Sequence, residues 1–129
     1  MHGRRQPVNG HPIVHIEIPA SDLKEANKFY TEVFGWQIDT TTMEDYPMFA
    51  AEGGPGGGFV QLSDRSHSVG RPLLFIGTDD IDASLAAVVA HGGKTLMPRT
   101  AIPHVGWWAV FDDSVGNTLA LYTRDDTAA

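Results

Sequence analysis

A chain of 129 residues with no cysteine excludes a disulfide framework, a thiolate nucleophile and a cysteine-based zinc site. Its formal net charge of −7 repels phosphate backbones, so no nucleic-acid partner is expected. No apolar run nears the roughly 20 residues of a membrane span or resembles the core of a signal peptide, and one soluble, cytoplasmic domain without a membrane partner is the expectation.

Met1 to Gly10 shows no hydrophobic period and reads as a loose arm. From Ile13 the residues alternate. Val14, Ile16 and Ile18 fall on one side of a pleated strand, and Ile13, His15 and Glu17 on the other, so one side packs and the other carries two polar groups. Ser21 or Asp22 can cap a helix, with Glu25 placed for a capping box, an apolar stripe of Leu23, Ala26, Phe29, Tyr30, Val33 and Phe34, and Gly35 as its stop. Phe29, Tyr30, Phe34 and Trp36 are expected as core between this helix and its sheet. Gln37 to Ala51 holds two β-prone runs separated by Glu44-Asp45-Tyr46-Pro47, which reads as a hairpin. The glycine-rich run Glu52 to Gly58 lacks the following helix and the lysine of a phosphate loop, and is expected as a flexible turn before an alternating strand, Phe59 to Leu62.

Asp64 to Pro72 is polar, ends on Gly70-Arg71-Pro72 and reads as a connection; it holds His67, expected at the surface. A strand from Leu73 to Gly77 follows, with capping oxygens at Thr78 and Asp79, a helix stripe of Ile81, Leu85, Val88 and Val89, and a stop at Gly92-Gly93. His91, in the last turn, complements the helix C-terminus. Thr100 to Val105, with His104, leads into Gly106 to Phe111, an alternating strand in which Trp107 and Trp108 face opposite sides. A turn at Asp112 to Asn117 gives the last strand, Thr118 to Tyr122, and the closing residues to Ala129 read as a solvated tail.

The second half echoes the first. Sliding the chain by about 58 positions brings Asp22-Leu23 onto Asp80-Ile81, Gly35 onto Gly93, Ile38 onto Leu96 and His15 onto Leu73. Gly57 to Leu62 then lies against Gly116 to Leu121, which sets Gln61 opposite Ala120. In this order the stretches His15-Ile16-Glu17-Ile18-Pro19-Ala20-Ser21-Asp22, Phe29-Tyr30-Thr31-Glu32-Val33-Phe34-Gly35-Trp36, Asp79-Asp80-Ile81-Asp82-Ala83 and Phe111-Asp112-Asp113-Ser114-Val115-Gly116-Asn117-Thr118-Leu119 resemble the vicinal oxygen chelate superfamily of glyoxalase I, bleomycin resistance proteins and extradiol dioxygenases. The resemblance runs from about His11 to Tyr122. It implies an α+β fold: one domain over 11–124, built of two βαβββ modules at 11–64 and 70–123, their sheets curled into a cup with the helices outside, and a tail at 125–129. It also implies a homodimer.

The same resemblance implies a divalent metal held by one residue from the first and one from the last strand of each module. Carried onto this chain the ligand set reads His15, Gln61, Leu73 and Ala120, and leucine and alanine have no lone pair to give. The expectation is therefore no metal and no other cofactor, a divalent metal through different ligands being the alternative. Phe59, Leu73, Phe75, Trp107, Ala120 and Tyr122, with His15, Glu17 and Gln61 as polar groups, have the makeup of a small-molecule site. The favoured reading is a glyoxalase/bleomycin-resistance-like protein that binds a small, mostly apolar or aromatic molecule. One competing reading is a chelate-type lyase, isomerase or dioxygenase, using a metal or His15 or Glu17 as a metal-free base. Another is a protein-interaction module whose cup is vestigial. Without any function, His15 would be an inward histidine hydrogen-bonded to Gln61 or Glu17.

Overall fold

The structure is a computed structural model that describes residues 10–62 and 70–129. The arm to Asn9, and the part of the expected connection that carries His67, lie outside the described residues. The elements in chain order are β1 (Ile13–Ala20), α1 (Leu23–Phe34), β2 (Gln37–Asp39), β3 (Met48–Ala50), β4 (Gly56–Gln61), β5 (Leu73–Gly77), α2 (Ile81–Ala90), β6 (Lys94–Ile102), β7 (Gly106–Asp112) and β8 (Thr118–Arg124). This is βαβββ twice over, the α+β fold expected from the repeat. By contacts the chain divides into two compact units, 15–74 and 75–129, the latter together with the residues up to Val14.

In the first unit the strands run in the order β2-β3-β4-β1. β1 pairs with β4 in parallel, and β4 pairs with β3 and β3 with β2 antiparallel. Asp22 is the N-cap of α1, its carboxylate accepting from the Glu25 backbone N–H at 3.1 Å, and Gly35 closes the helix in the left-handed region at φ 70°. The core of this unit is aromatic. Tyr30 stacks on Trp36 at 4.8 Å and on Phe59 at 5.3 Å, and Trp36 stacks on Phe49 at 4.4 Å between centroids. Such pairs add about 0.5–1.5 kcal/mol each beyond their burial. Phe29 and Phe34 depart from the expected core: they remain 53% and 61% exposed, because Leu23, Ala26, Asn27 and Tyr30 are the positions α1 turns toward its sheet.

In the second unit the order is β5-β8-β7-β6, with β5 and β8 parallel and the other pairs antiparallel. The α2 N-cap is Asp80, whose carboxylate accepts from the Ala83 backbone N–H at 3.0 Å. The N-cap is thus one residue or two beyond the expected Asp79 and Thr78, although the Thr78 hydroxyl does accept from the Asp80 backbone N–H at 3.2 Å. Thr78 is buried, with its hydroxyl 2.8 Å from that of Ser84 and its carbonyl accepting from the Thr123 hydroxyl. His91 places Nδ1 2.9 Å from the Ala87 carbonyl, a link to the helix end as anticipated. The core here is largely aliphatic: Ile81, Leu85, Ala109, Phe111 and Leu121 form a buried cluster, with Ile76, Val88, Trp107 and Leu119 packed against it.

β6 runs on to Ile102, through Pro98, and its pairing with β7 slips between Met97 and Thr100. A proline is tolerated on an outer strand at such an irregularity, since no ladder donor is needed there. The closing residues do not extend into solvent as a tail. Asp125 N–H bonds the Val105 carbonyl at 2.9 Å, His104 N–H bonds the Ala128 carbonyl at 3.0 Å, and Ala128 is buried.

Candidate functional site: a histidine, tyrosine and glutamate on one sheet face

In the parallel pairing of β1 with β4, His15 lies beside Gly56, Glu17 beside Gly58, and Ile18 beside Phe59. His15 and Glu17 thus share a sheet face with Gly56 and Gly58, while Ile16, Ile18 and Phe59 point to the other face, where Phe59 meets Tyr30 of α1. The glycines expected as part of a flexible turn are the first half of β4. A methyl group on Gly57 would overlap the Ile16 carbonyl oxygen, and one on Gly58 would overlap the ring of Tyr46. Glycine is needed at Gly58 because an aromatic ring occupies the space a side chain would fill.

Tyr46, just ahead of β3, connects the two polar groups of β1. Its hydroxyl donates to Glu17 Oε2 at 2.7 Å and lies 2.7 Å from His15 Nε2. A phenol has one proton, and with that proton directed at the carboxylate its oxygen accepts from an Nε2–H of His15. Burial pushes the Tyr46 pKa far up, with the Glu17 charge and the hydrogen bond to it acting in the same direction, so the phenol keeps its proton. Burial also lowers the pKa of His15, opposed by the attraction of Glu17. The arrangement is a half-buried donor chain from imidazole through phenol to carboxylate, able to orient a polar ligand group or to pass a proton.

The remaining candidates divide. Gln61 does not join His15: it lies beside Ala20 and its amide donates to the Ser21 carbonyl at 2.8 Å. Nor does it correspond to Ala120. Phe75 lies beside Ala120 as Glu17 lies beside Gly58, which makes Gly58 the structural counterpart of Ala120. In the second unit Phe75, Ala120 and Tyr122 share one face, and the register of β7 on β8 adds Trp108, which stacks on Phe75 at 5.8 Å. Trp107 faces the other way, into the cluster under α2, with Arg99 4.7 Å over its ring and its Nε1–H donating to Asp125 at 3.3 Å. Leu73 is buried at the start of β5.

Sequence reasoning missed Tyr46. The signal was available, because the hairpin repeats at a different spacing from the helix. At about 62 positions Tyr46 falls on Trp108, Phe49 on Phe111 and Gly58 on Ala120, in agreement with the strand registers.

His15 and Gln61, the two expected ligands with a lone pair to give, lie on opposite faces of the sheet. The Nε2 of His15 is engaged with Tyr46, Gln61 is turned to Ser21, and Leu73 and Ala120 are hydrocarbon. Among the described residues, no cluster of three or more histidine, aspartate or glutamate side chains is placed to hold an ion. Catalytic zinc sites take about three protein ligands.

A model of the Glyoxalase/Bleomycin resistance protein/Dioxygenase superfamily matches residues 12–121, and the chain belongs to that superfamily. A glyoxylase-like domain-containing protein of Didymella fabae is 36% identical over 117 residues, which is 84% of this chain and 91% of that protein. A putative glyoxylase of Mycobacterium bovis is 26% identical over 83% of this chain but only 43% of its own length. Among solved structures, methylmalonyl-CoA epimerase from Mycobacterium tuberculosis superposes with a TM-score of 0.67 at 17% identity, over 85% of each chain. The Streptomyces coelicolor methylmalonyl-CoA epimerase in complex with 2-nitronate-propionyl-CoA gives 0.67 at 18% identity, over 92% of this chain and 98% of that one. At these identities the superpositions establish the fold. No helix among the described residues is long and apolar enough to cross a membrane.

Proposed function

We propose that this member of the superfamily binds a small, mostly apolar or aromatic molecule without a metal, and that His15, Tyr46 and Glu17 hold the polar group of that molecule. The observation that carries the reading is the Tyr46 hydroxyl, held 2.7 Å from both His15 Nε2 and Glu17 Oε2. It commits the one histidine of the expected ligand set to a protein partner and sets three polar groups together on one sheet face. Small organic ligands are oriented by a few such fixed polar groups.

The test is a thermal-shift screen of phenols, aromatic amides and aromatic acids, followed by calorimetry on the compounds that stabilise. Tyr46→Phe is expected to weaken the best of them about tenfold, the equivalent of ~1.4 kcal/mol. Metal content is measured on the same preparation. A resident ion at a hundredfold excess over Kd would contribute about 2.7 kcal/mol, so chelator would visibly lower the melting temperature. Near one metal per chain, lost on His15→Ala, would overturn the proposal in favour of a chelate-type enzyme.

A second reading keeps His15 or Glu17 as the base of a metal-independent proton-transfer enzyme. It is favoured by the lowered pKa of His15, which leaves the imidazole neutral near pH 7. Solvent-deuterium exchange into a bound carbon acid, abolished by Glu17→Gln with binding retained, would select it.

A further inference from the structure

Tyr46 occupies two places at once, the volume of a missing side chain and the meeting point of two groups able to ligate an ion. The resemblance implies one ligand on the last strand of each module, which in the second module falls on Ala120. Its structural counterpart in the first is Gly58, not Gln61. A Cβ built on Gly58 falls on Cζ and the hydroxyl of Tyr46, so the ring fills the space in which a ligand side chain from β4 would stand. At the end of that ring the hydroxyl lies 2.7 Å from His15 Nε2 and 2.7 Å from Glu17 Oε2. Bonds from a metal to imidazole or carboxylate are about 2.0–2.2 Å long. A shift of roughly half an ångström by each side chain would bring both atoms to bonding distance of an ion placed where the phenol oxygen now is.

The three groups change as a set. Their counterparts in the second module are Leu73, Phe75 and Trp108, so no polar member is kept there without the others. A phenol suits the centre of such a set, because one oxygen both donates to the carboxylate and accepts from the imidazole. The backbone that carries the ring is also fixed from both sides. Ahead of it the Asp39 carboxylate accepts from the backbone N–H and the hydroxyl of both Thr41 and Thr42, and behind it the Pro47 carbonyl accepts from the Phe59 N–H at 3.0 Å.

We propose that Tyr46 stands in the place of an ion: the first module carries a divalent-cation site, formed by His15 Nε2 and the Glu17 carboxylate, that the phenol plugs. With the plug removed, the imidazole meets an ion through Nε2 once its proton has moved to Nδ1. This goes beyond the ligand reading above, since it concerns what His15 and Glu17 do when the ring is gone.

Titration of the full chain with cobalt(II), followed by calorimetry and by the visible spectrum of the ion, tests it. The wild type is expected to take up none, and so is Tyr46→Phe, which leaves the ring in place. Tyr46→His shortens the side chain by about 2 Å, the length of a metal–nitrogen bond, and is expected to bind one cobalt per chain. Its dissociation constant should be about 10 μM or lower, and adding His15→Ala or Glu17→Gln should weaken it at least about tenfold. Tyr46→Ala/Gly58→Asp offers a carboxylate from β4 in the vacated space and is expected to bind likewise, which decides the question even if Tyr46→His fails to fold. Folded variants of both kinds that take up no cobalt, uptake indifferent to His15→Ala and Glu17→Gln, or uptake by Tyr46→Phe would overturn this proposal alone. One cobalt per wild-type chain, lost on His15→Ala, would overturn it together with the metal-free reading.

Discussion

The two modules put different chemistry on matching backbone. Asp22 and Asp80 cap their helices with the same bond to the third helical N–H, and each first strand pairs in parallel with the last strand of its own module. On this shared frame His15, Glu17, Tyr46 and Gly58 of the first module correspond to Leu73, Phe75, Trp108 and Ala120 of the second. A hydrogen-bonded donor chain in one is a stacked aromatic pair in the other. The helices differ in the opposite sense. α2 buries Ile81 and Leu85, whereas α1 buries no residue fully and carries, at the place of Leu85, an Asn27 whose Oδ1 is buried without a partner. Polarity in the first module is thus satisfied where it meets the candidate site and left unsatisfied where the helix meets its sheet. The frame therefore tolerates either chemistry, and the polar trio is not required for building it.

The largest expected effect comes from cutting the trio at its centre. Tyr46→Phe removes both 2.7 Å bonds while keeping the ring against Gly58, and should cost about 2 kcal/mol in urea denaturation. Tyr122→Phe in the other module loses only a 3.4 Å surface contact to the Val105 carbonyl and should cost less than about 0.5 kcal/mol. Equal costs would erase the distinction between the modules.

Next in size is a gain. Asn27→Leu copies Leu85 and removes the orphaned oxygen, so stability should rise by about 1 kcal/mol. A loss would mean that Asn27 is serving a contact which its counterpart does not make.

The smallest effect is in pH dependence. Because the folded pKa of His15 lies below its ordinary value of 6.5, the unfolded chain takes up a proton first as pH falls. Stability from this group is intact above about pH 6.5, declines below it, and stops declining once pH passes the lowered folded value. His15→Leu, which copies Leu73, should flatten only that window. Denaturation midpoints of wild type and variant from pH 8 to 5 should run parallel above 6.5 and converge or cross below it. A difference that is constant across the whole range would show that His15 is not shifted by burial.

Much of the frame was legible because punctuation is local. A capping aspartate, a helix-stopping glycine and a change from period 3.6 to period 2 can each be read in a few residues, and together they marked both modules. The site was less legible because its partners are set by pairing between distant strands. A single offset aligned the helices but carried Gln61 onto Ala120, and the longer second spacing that brings Tyr46 onto Trp108 was overlooked. Gly56 to Gly58 lacked any strand signal of their own. Their place in β4 comes from the Ile16 backbone and the Tyr46 ring pressing against them, which composition does not reveal. Phe29 and Phe34 were assigned to the core by their type, although the direction each faces depends on the roll of α1 over its sheet.

That run of glycines also bears on how the chain finds its fold. Each glycine gives up more backbone freedom on ordering than any other residue, roughly 0.5–1 kcal/mol relative to alanine. A segment opening on three of them has no reason to be extended by itself. Its partner β1 is about 40 residues away along the chain, and such distant pairings form slowly because the loop must close before any contact repays it. β4 therefore becomes a strand only once β1 and the β3 hairpin hold it from both sides. The donor chain of His15, Tyr46 and Glu17 is then assembled late in folding, when that last strand seats and the tyrosine ring drops into the space the glycine leaves.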